Sequence, residues 1–594
     1  MKKSRIPFID SLRDFLPLKE YFIQNLWPLS IGLFCLLIVD FLQLLIPLVI
    51  KNAIDALTFK AATPDMLLNY GMIILIIAAL IAALRYVWRL FVIGHSRKVE
   101  ERLRNRLFQH LMTLSPSFYQ RTKTGDIMAR SINDIMAIRM ATGMGIVALV
   151  DGVVIGTAAI CFMIYINPYL TLLSLIPAPF IIYFVKKLTR RMSSGYEIVQ
   201  KTFSDITERV RETFAGIKVV KAFLRESWEY QKIEREGKLY ISENMKLART
   251  IALFFPMMAL FTNLGLAIVI WFGGRSTILG HITTGDFVAF IGYLNLLTWP
   301  MMAMGWVTNL FKRGSASMRR INHILEETPE ITGPVLSSGT CPLRGAIDLR
   351  ELHHTYPEKS EYSLNGISLT IEAGQTISLV GRVGSGKTTL LQTLPRLIDI
   401  QKGSILIDGK DIRDFPLKEL RENIGFVTQD AIIFSDTIRN NVVFGRNDIS
   451  EDALEAALKT AQIYDEMLGL ERGLDTVLGE KGVTLSGGQR QRLTIARAIV
   501  FNPPILILDD SLSMVDTRIE ENILDRILSL RKDKTNLIVS HRLSTISRAD
   551  LIAVLDNGEL VETGDHKTLM RNGNVFAKLY EKQLLAEELK MGDG

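Results

Sequence analysis

The chain has 594 residues, too many for one ordinary core, so at least two domains are expected. Its net charge is +7, but Lys and Arg concentrate beside apolar stretches, which argues against a nucleic-acid partner. Three cysteines (Cys35, Cys161 and Cys341) make no paired disulfide framework, and the first two fall inside apolar runs.

The start, Met1-Lys2-Lys3-Ser4-Arg5, carries the charge of a signal peptide, but an amphipathic stretch separates it from the first apolar run. That run is long enough to span and lacks a small-residue cleavage site. Phe8 to Gln24 is therefore expected to be an interfacial helix leading into a first span. A span needs about 20 apolar residues. Six stretches qualify: Leu26–Ile50, Tyr70–Ile93, Gly143–Ile166, Leu170–Val185, Ile251–Phe272 and Phe287–Leu310. The fourth is short and is expected to run a turn further, into Lys186 and Lys187.

Two connections are long and basic. One holds Arg97, Lys98, Arg102, Arg104 and Arg106, the other Lys186, Lys187, Arg190, Arg191 and Lys201. The remaining connections are short or poor in charge, so both basic segments and both termini are expected inside the cell. Helical spacing at Val99, Leu103, Leu107 and Leu111, and at Val210, Phe214 and Ile217, implies that the spans continue as helices beyond the bilayer. Turns are expected near Ser115–Thr124 and Phe223–Tyr230. Their apolar residues Phe118, Tyr119, Phe223 and Trp228 have no membrane to bury in and need a protein partner.

Asp40, Arg85, Asp151, Asn263 and Asn295 lie within spans. Asp40, Arg85 and Asp151 either line or gate a substrate cavity, or form an ion pair that fixes packing, or leave Arg85 to snorkel to an interface. Pro177, Pro179, Pro256 and Pro300 are candidate kinks. Aromatics and methionines such as Phe254, Met257, Met258, Trp299, Met301 and Met304 suit adaptable contact with amphipathic ligands, or ordinary packing.

From about Gly345 the pattern changes to short β-rich runs, glycine turns and amphipathic helices. The expected strand Thr376–Val380 leads into Gly381-Arg382-Val383-Gly384-Ser385-Gly386-Lys387-Thr388-Thr389, a phosphate loop in its strand–loop–helix context. Glycines let backbone N–H groups crowd the phosphates, Lys387 supplies a point charge, and the Thr388 hydroxyl suits Mg²⁺. A second strand, Ile505–Leu508, ends in Asp509, a carboxylate placed for the same ion. Between them, Thr484-Leu485-Ser486-Gly487-Gly488-Gln489 opens a helix with exposed N–H groups.

These elements together resemble ATP-binding-cassette (ABC) exporters over nearly the whole chain, and Leu485–Gln489 is similar to that family's signature motif. The resemblance implies a multi-domain fold: an all-α six-helix transmembrane bundle with long cytoplasmic helix extensions, followed by an α/β phosphate-loop ATPase domain. The expected divisions are 1–25 (interfacial helix), 26–325 (transmembrane domain), 326–344 (linker) and 345–594 (nucleotide-binding domain). It further implies that Tyr356 stacks on adenine, Gln429 senses Mg²⁺, Glu480 meets a coupling helix, Asp516 lies on the loop crossing a dimer interface, and His541 is a switch beside the γ-phosphate. ATP and Mg²⁺ are the implied cofactors. The signature of one chain faces the phosphate loop of another, so the implied working unit is a dimer.

The chain departs from the family at Asp510, where Glu usually follows the Mg²⁺ aspartate and acts as the general base. The two acids differ by about half a unit in pKa. Reach decides instead: Asp is one methylene shorter, and a misplacement of about an ångström costs roughly a hundredfold in rate. Slow hydrolysis at this chain's own site is expected, with Asp510 and His541 as the catalytic pair. An altered base with an intact signature resembles the degenerate-site subunit of bacterial heterodimeric multidrug exporters. That implies a partner half-transporter with Glu after its own Mg²⁺ aspartate, in the bacterial inner membrane, moving amphipathic drugs or lipids outward. The rival readings are a homodimeric exporter or flippase, an exporter-like importer of metal chelates, and a nucleotide-dependent membrane sensor.

Overall fold

The computed structural model describes residues 13–59, 63–334, 343–356, 362–479, 485–540 and 542–592. Cys341, Glu480, His541 and the first part of the expected interfacial helix lie outside them. The chain divides into two compact units, residues 1–113 with 122–327, and residues 114–121 with 328–594.

In the first unit, among the described residues, six helices are long and apolar enough to cross a membrane: Leu26–Thr58, Pro64–Thr113, Thr124–Ile166, Pro168–Ala215, Glu226–Ile278 and Thr284–Glu326. Each contains the apolar run read from the sequence and outlasts it. The second has 50 residues, about 75 Å at 1.5 Å per residue, against about 30 Å of bilayer core. The expected helical extensions are thus present. The break before the fourth helix is local chemistry. Asn167 Oδ1 accepts from the Leu170 N–H at 2.9 Å, and Pro168 occupies the first helical position, where no N–H is needed.

The first helix packs on the second and sixth, the sixth on the third, and the fourth on the fifth. Small residues and polar clamps set these approaches. A Cβ on Gly285 would lie 2.3 Å from the Lys51 carbonyl oxygen, so only glycine fits there. The Gly285 N–H donates to Asp55 at 2.8 Å, and Lys51 pairs with Asp286 at 2.6 Å. Thr283 and Asp286 cap the same helix start reciprocally. Of the candidate intramembrane charges, Asp40 is fully buried, Asp151 is half-buried and Arg85 is exposed.

The two expected turns differ. Thr113 and Thr124 bracket a short helix, Pro116–Arg121, within the stretch read from sequence. The other turn lies earlier than expected. The helix stops at Gly216, a short helix Ile217–Ala222 follows, and Arg225 precedes the next long helix, which starts at Glu226. Trp228 and Tyr230 therefore stand on that helix, not in the turn. Gly216 and the positive φ of Leu224 mark the reversal, and neither aromatic does.

Among the described residues, the second unit holds two sheets. An antiparallel sheet runs β2 (Leu364–Ile371), β1 (Ile347–His354), β4 (Ile405–Ile407), β5 (Lys410–Asp411). The other has the order β10-β9-β3-β8-β7-β6, formed by β3 (Thr376–Gly381), β6 (Ile424–Val427), β7 (Ile505–Asp509), β8 (Thr535–Val539), β9 (Leu551–Asp556) and β10 (Glu559–Gly564). Its strands are parallel except for the β9–β10 hairpin. Every residue of β3, β7 and β8 is buried, as expected of strands covered on both faces. In register, Asp509 lies opposite Val539 and Leu379 opposite Val539. The carboxyl ends of β3, β8 and β7 thus finish in one row, the place where open α/β sheets bind ligands.

Candidate nucleotide site

The phosphate loop leaves β3 at Gly381 and enters the helix Lys387–Thr393. Two glycines are required by contact. A Cβ on Gly381 would sit 2.2 Å from the Leu555 carbonyl oxygen, and one on Gly386, whose φ is +99°, would sit 2.6 Å from that of Ser363. Lys387 is buried beneath the loop, its Nζ donating to the carbonyls of Gly381 and Arg382, each at 2.8 Å. Burial pushes its ammonium below the usual lysine range, against the opposing pull of Asp509 and Asp510. Ser385 is buried at the lysine's side, whereas Val383 is 94% exposed at the loop's crest.

Thr388 Oγ1 donates to Asp509 Oδ1 at 3.3 Å, which joins the helix after β3 to the end of β7, far apart in sequence. Burial pushes the Asp509 carboxyl above the usual range; the Thr388 hydrogen bond opposes this and Asp510 reinforces it. Thr388 and Asp509 offer only hard oxygen donors, the set that suits Mg²⁺. Tyr356 is half-buried, edge-on to His354 with 4.9 Å between ring centres. Its hydroxyl lies 3.2 Å from Thr389 Oγ1.

Asp510 adopts a left-handed φ of +47°, a conformation Asp tolerates better than most residues. Its N–H donates to the Val539 carbonyl at 3.1 Å. The backbone beneath its carboxylate is therefore pinned to β8. Gln429 is exposed just beyond β6. The segment after it is held by Arg497, which donates to the carbonyls of Asn441 and Ile432 at 2.6 and 2.9 Å and lies over the Phe434 and Phe444 rings.

Ser486 caps the helix Gly487–Ile499, and Gln489 returns the bond to the Ser486 N–H at 2.8 Å. Gln489 also donates to Glu466, at 2.8 Å, and Glu466 takes two further bonds from Arg492. Gly487 and Gly488 let the loop around Met514 approach, since a Cβ would meet Met514 at 2.9 and 3.0 Å. Asp516 is exposed at the far end of that loop and caps the next helix through the Arg518 N–H, at 3.0 Å. Among the described residues, no hydrogen bond or ion pair joins Ser486–Gln489 to the Gly381–Thr389 loop. One chain gathers Lys387, Thr388, Asp509 and Asp510, and presents the capped Ser486 helix separately.

Sequence reasoning missed Gln491, Arg492 and Arg497. Gln491 and Arg492 are buried polar side chains on the helix that Ser486 opens, and all three orient neighbouring loops. Their spacing on a helix with a strong apolar face was the one available signal.

Residues 29–301 match the family described as ABC transporter transmembrane region, and residues 364–513 match that described as ABC transporter. The Bacillus subtilis protein named "Probable multidrug resistance ABC transporter ATP-binding/permease protein YheI" is 35% identical over 562 residues, covering 94% of this chain and 96% of that one. The ATP-dependent lipid A-core flippase of Syntrophus aciditrophicus is 34% identical, covering 95% and 93%. The solved structure of a bacterial Atm1-family ABC exporter with ATP bound aligns with a TM-score of 0.77 at 27% identity, covering 95% of this chain and 98% of that one. Six apolar helices followed by a phosphate-loop α/β domain define a membrane protein that couples transport to a nucleotide. The chain belongs to the ABC transporter family and is an ATP-hydrolysing transporter with the exporter fold.

Proposed function

We propose that this chain is the degenerate-site half of a heterodimeric exporter in a bacterial inner membrane, with its ATPase domain and both termini in the cytoplasm. The observation that carries this is Asp510, a short base on a pinned backbone, in a chain whose Ser486–Gln489 cap is intact. Because the Asp510 N–H is tied to β8, the backbone cannot advance to restore the missing methylene. Hydrolysis at this chain's own loop is then slow. The capped helix serves the phosphate loop of a partner that carries Glu at the matching position.

In this reading Lys387 and the loop N–H groups would hold the ATP phosphates, Thr388, Asp509 and Gln429 would hold Mg²⁺, Tyr356 would support adenine, and His541, outside the described residues, is assigned the switch role. Mg²⁺ held there would supply neutralisation of phosphate charge. The chain's own residues orient the nucleotide and present it to the partner's signature. ATP binding closes the two ATPase domains, and the long helices carry that closure to the bundle. ATP drives the change only by binding the closed state more tightly than the open one. The names of relatives, a multidrug transporter and a lipid flippase, support hydrophobic or amphipathic cargo.

The test is Asp510→Glu in full-length protein purified with its partner and, separately, alone. Restored reach raises hydrolysis at this site at least tenfold and up to roughly a hundredfold. Unchanged turnover would remove side-chain reach as the limit. Vigorous hydrolysis by the unaltered chain alone would defeat the heterodimer.

A further inference from the structure

Between the fourth and sixth span helices lies a cavity of about 810 Å³. The two helices are an even number of crossings apart and so run in the same direction. Gly305 sets their approach, since a Cβ there would lie 3.1 Å from Val185 and 3.5 Å from Thr189. The lining residues earlier in each helix therefore share one end of the cavity, and the later ones share the other.

The two ends differ in chemistry. The first is apolar, lined by Ile182, Val185, Met301 and Met304. Toward the second, Lys186 comes first, level with Met304 and Gly305, then Arg190, and Lys312 stands at the far end, with hydroxyls of Thr189, Ser193 and Thr308 between them. Among the described residues, no Asp or Glu lines the cavity. Among the described residues, none of the three cations forms an ion pair with a carboxylate. Lys186 and Arg190 are one turn apart on the lining face. Lys187 and Arg191 are their immediate neighbours and do not line the cavity. The general excess of cations on the inner side of a membrane protein explains Lys187 and Arg191. It does not explain three cations gathered on facing helices around one volume that already fits a drug-sized molecule.

We propose that this cavity binds amphiphilic anions, with a phosphate-like headgroup between Lys186, Arg190 and Lys312 and an apolar tail along Ile182, Met301 and Met304. The inference deepens the exporter reading and rests on it, because it names the class of cargo. Guanidinium and ammonium groups hold phosphate through charge-assisted hydrogen bonds, and the hydroxyls replace the headgroup's remaining water. Methionines accept tails of varied shape. Cationic amphiphiles meet three like charges and are rejected.

The test uses full-length protein in phosphatidylcholine nanodiscs without nucleotide, so that failure of transport and failure of binding remain distinct. A dansyl-labelled alkyl phosphate is the probe. Dodecyl phosphate and dioleoyl phosphatidate compete in separate arms, which identifies a soluble or a bilayer source, and dodecyltrimethylammonium is the opposite-charge control. The anions are expected to compete at least tenfold better than the cation. Lys186→Gln with Arg190→Gln and Lys312→Gln should abolish that preference. Lys187→Gln with Arg191→Gln should keep it, and Lys312→Glu should shift it toward the cation. ATP-analogue binding and a monodisperse elution profile verify folding for each variant. Equal competition by the cation, or equal loss in the control pair and the cavity variant, overturns the proposal.

Discussion

Gln491 accepts a hydrogen bond from the Met514 N–H at 2.8 Å and donates to Ser513 Oγ at 3.1 Å. One buried carboxamide thus fixes the loop that follows Asp510 to the helix that Ser486 opens. Replacing Gln491 with Leu removes both bonds and leaves a backbone N–H without its partner, a loss of about 1–3 kcal/mol. Thermal unfolding of the detergent-purified chain should fall accordingly. Gln491→Glu keeps an acceptor for Met514 and one for the Ser513 hydroxyl, so it should retain more stability than Gln491→Leu. Equal losses would mean that packing, not hydrogen bonding, secures the loop.

Arg542 ion-pairs with the buried Glu520, which also accepts from Thr545 Oγ1 at 3.0 Å. Burial raises the Glu520 carboxyl above its ordinary range, and Arg542 holds the rise in check. Removing Arg542 strands a buried carboxylate, which costs about 3–5 kcal/mol. The sign with pH follows from linkage. A group whose folded pKa is raised binds its proton more tightly in the folded state, so stability is highest below the unfolded pKa and falls as pH rises through the folded one. Arg542→Ala lifts that folded pKa further and widens the window. Its stability deficit should therefore be larger at pH 8 than at pH 5. Glu520→Gln in the same chain should flatten the dependence; a deficit equal at both pH values would sink the account.

The phosphate loop was legible because its chemistry is local: glycines where backbones crowd, a lysine and threonine at fixed offsets, and a strand before them. The six spans were legible from length and apolarity, although their helices run well past the apolar windows because nothing stops them before Thr113 or Ala215. The second turn was misplaced for a clear reason. Aromatic residues without a membrane were read as turn residues, whereas the chain reverses at Gly216 and Leu224. Gln491, Arg492 and Arg497 were illegible because their meaning lies in partners 23 to 65 positions away, at Met514, Glu466 and Ile432. A polar residue on a helix announces exposure until the tertiary contact is known.

Lys387 is buried and satisfied by carbonyls of its own loop, and burial, which disfavours its charged form, pushes its ammonium below the usual lysine range. Lys387→Ala should therefore change the stability of the nucleotide-free chain little. Nucleotide at a hundred times its dissociation constant stabilises a protein by about 2.7 kcal/mol. The unaltered chain should gain that protection against thermal unfolding and the variant should lose most of it. Full protection of the variant would remove Lys387 from the binding set.

Phe118 and Phe223 look equivalent in the sequence, yet they differ in the fold. Phe118 is buried, on the short helix Pro116–Arg121 that belongs to the second compact unit. There the Ile331 N–H donates to Ser115 at 3.0 Å and Arg121 pairs with Glu330 at 2.8 Å. Phe223 is 71% exposed beside Leu224 at 83%, an apolar tip among the described residues. Truncating a buried phenylalanine costs about 3–5 kcal/mol, so Phe118→Ala should lower the thermal midpoint of the isolated chain. Phe223→Ala should leave that midpoint within a degree or two and act only in the proposed dimer, if a partner surface covers the tip there. Its expected signature is basal ATP hydrolysis that no longer responds to cargo. If Phe223→Ala instead destabilises the isolated chain as much as Phe118→Ala, the tip packs within its own chain, and the exposed turn carries no argument for a second subunit.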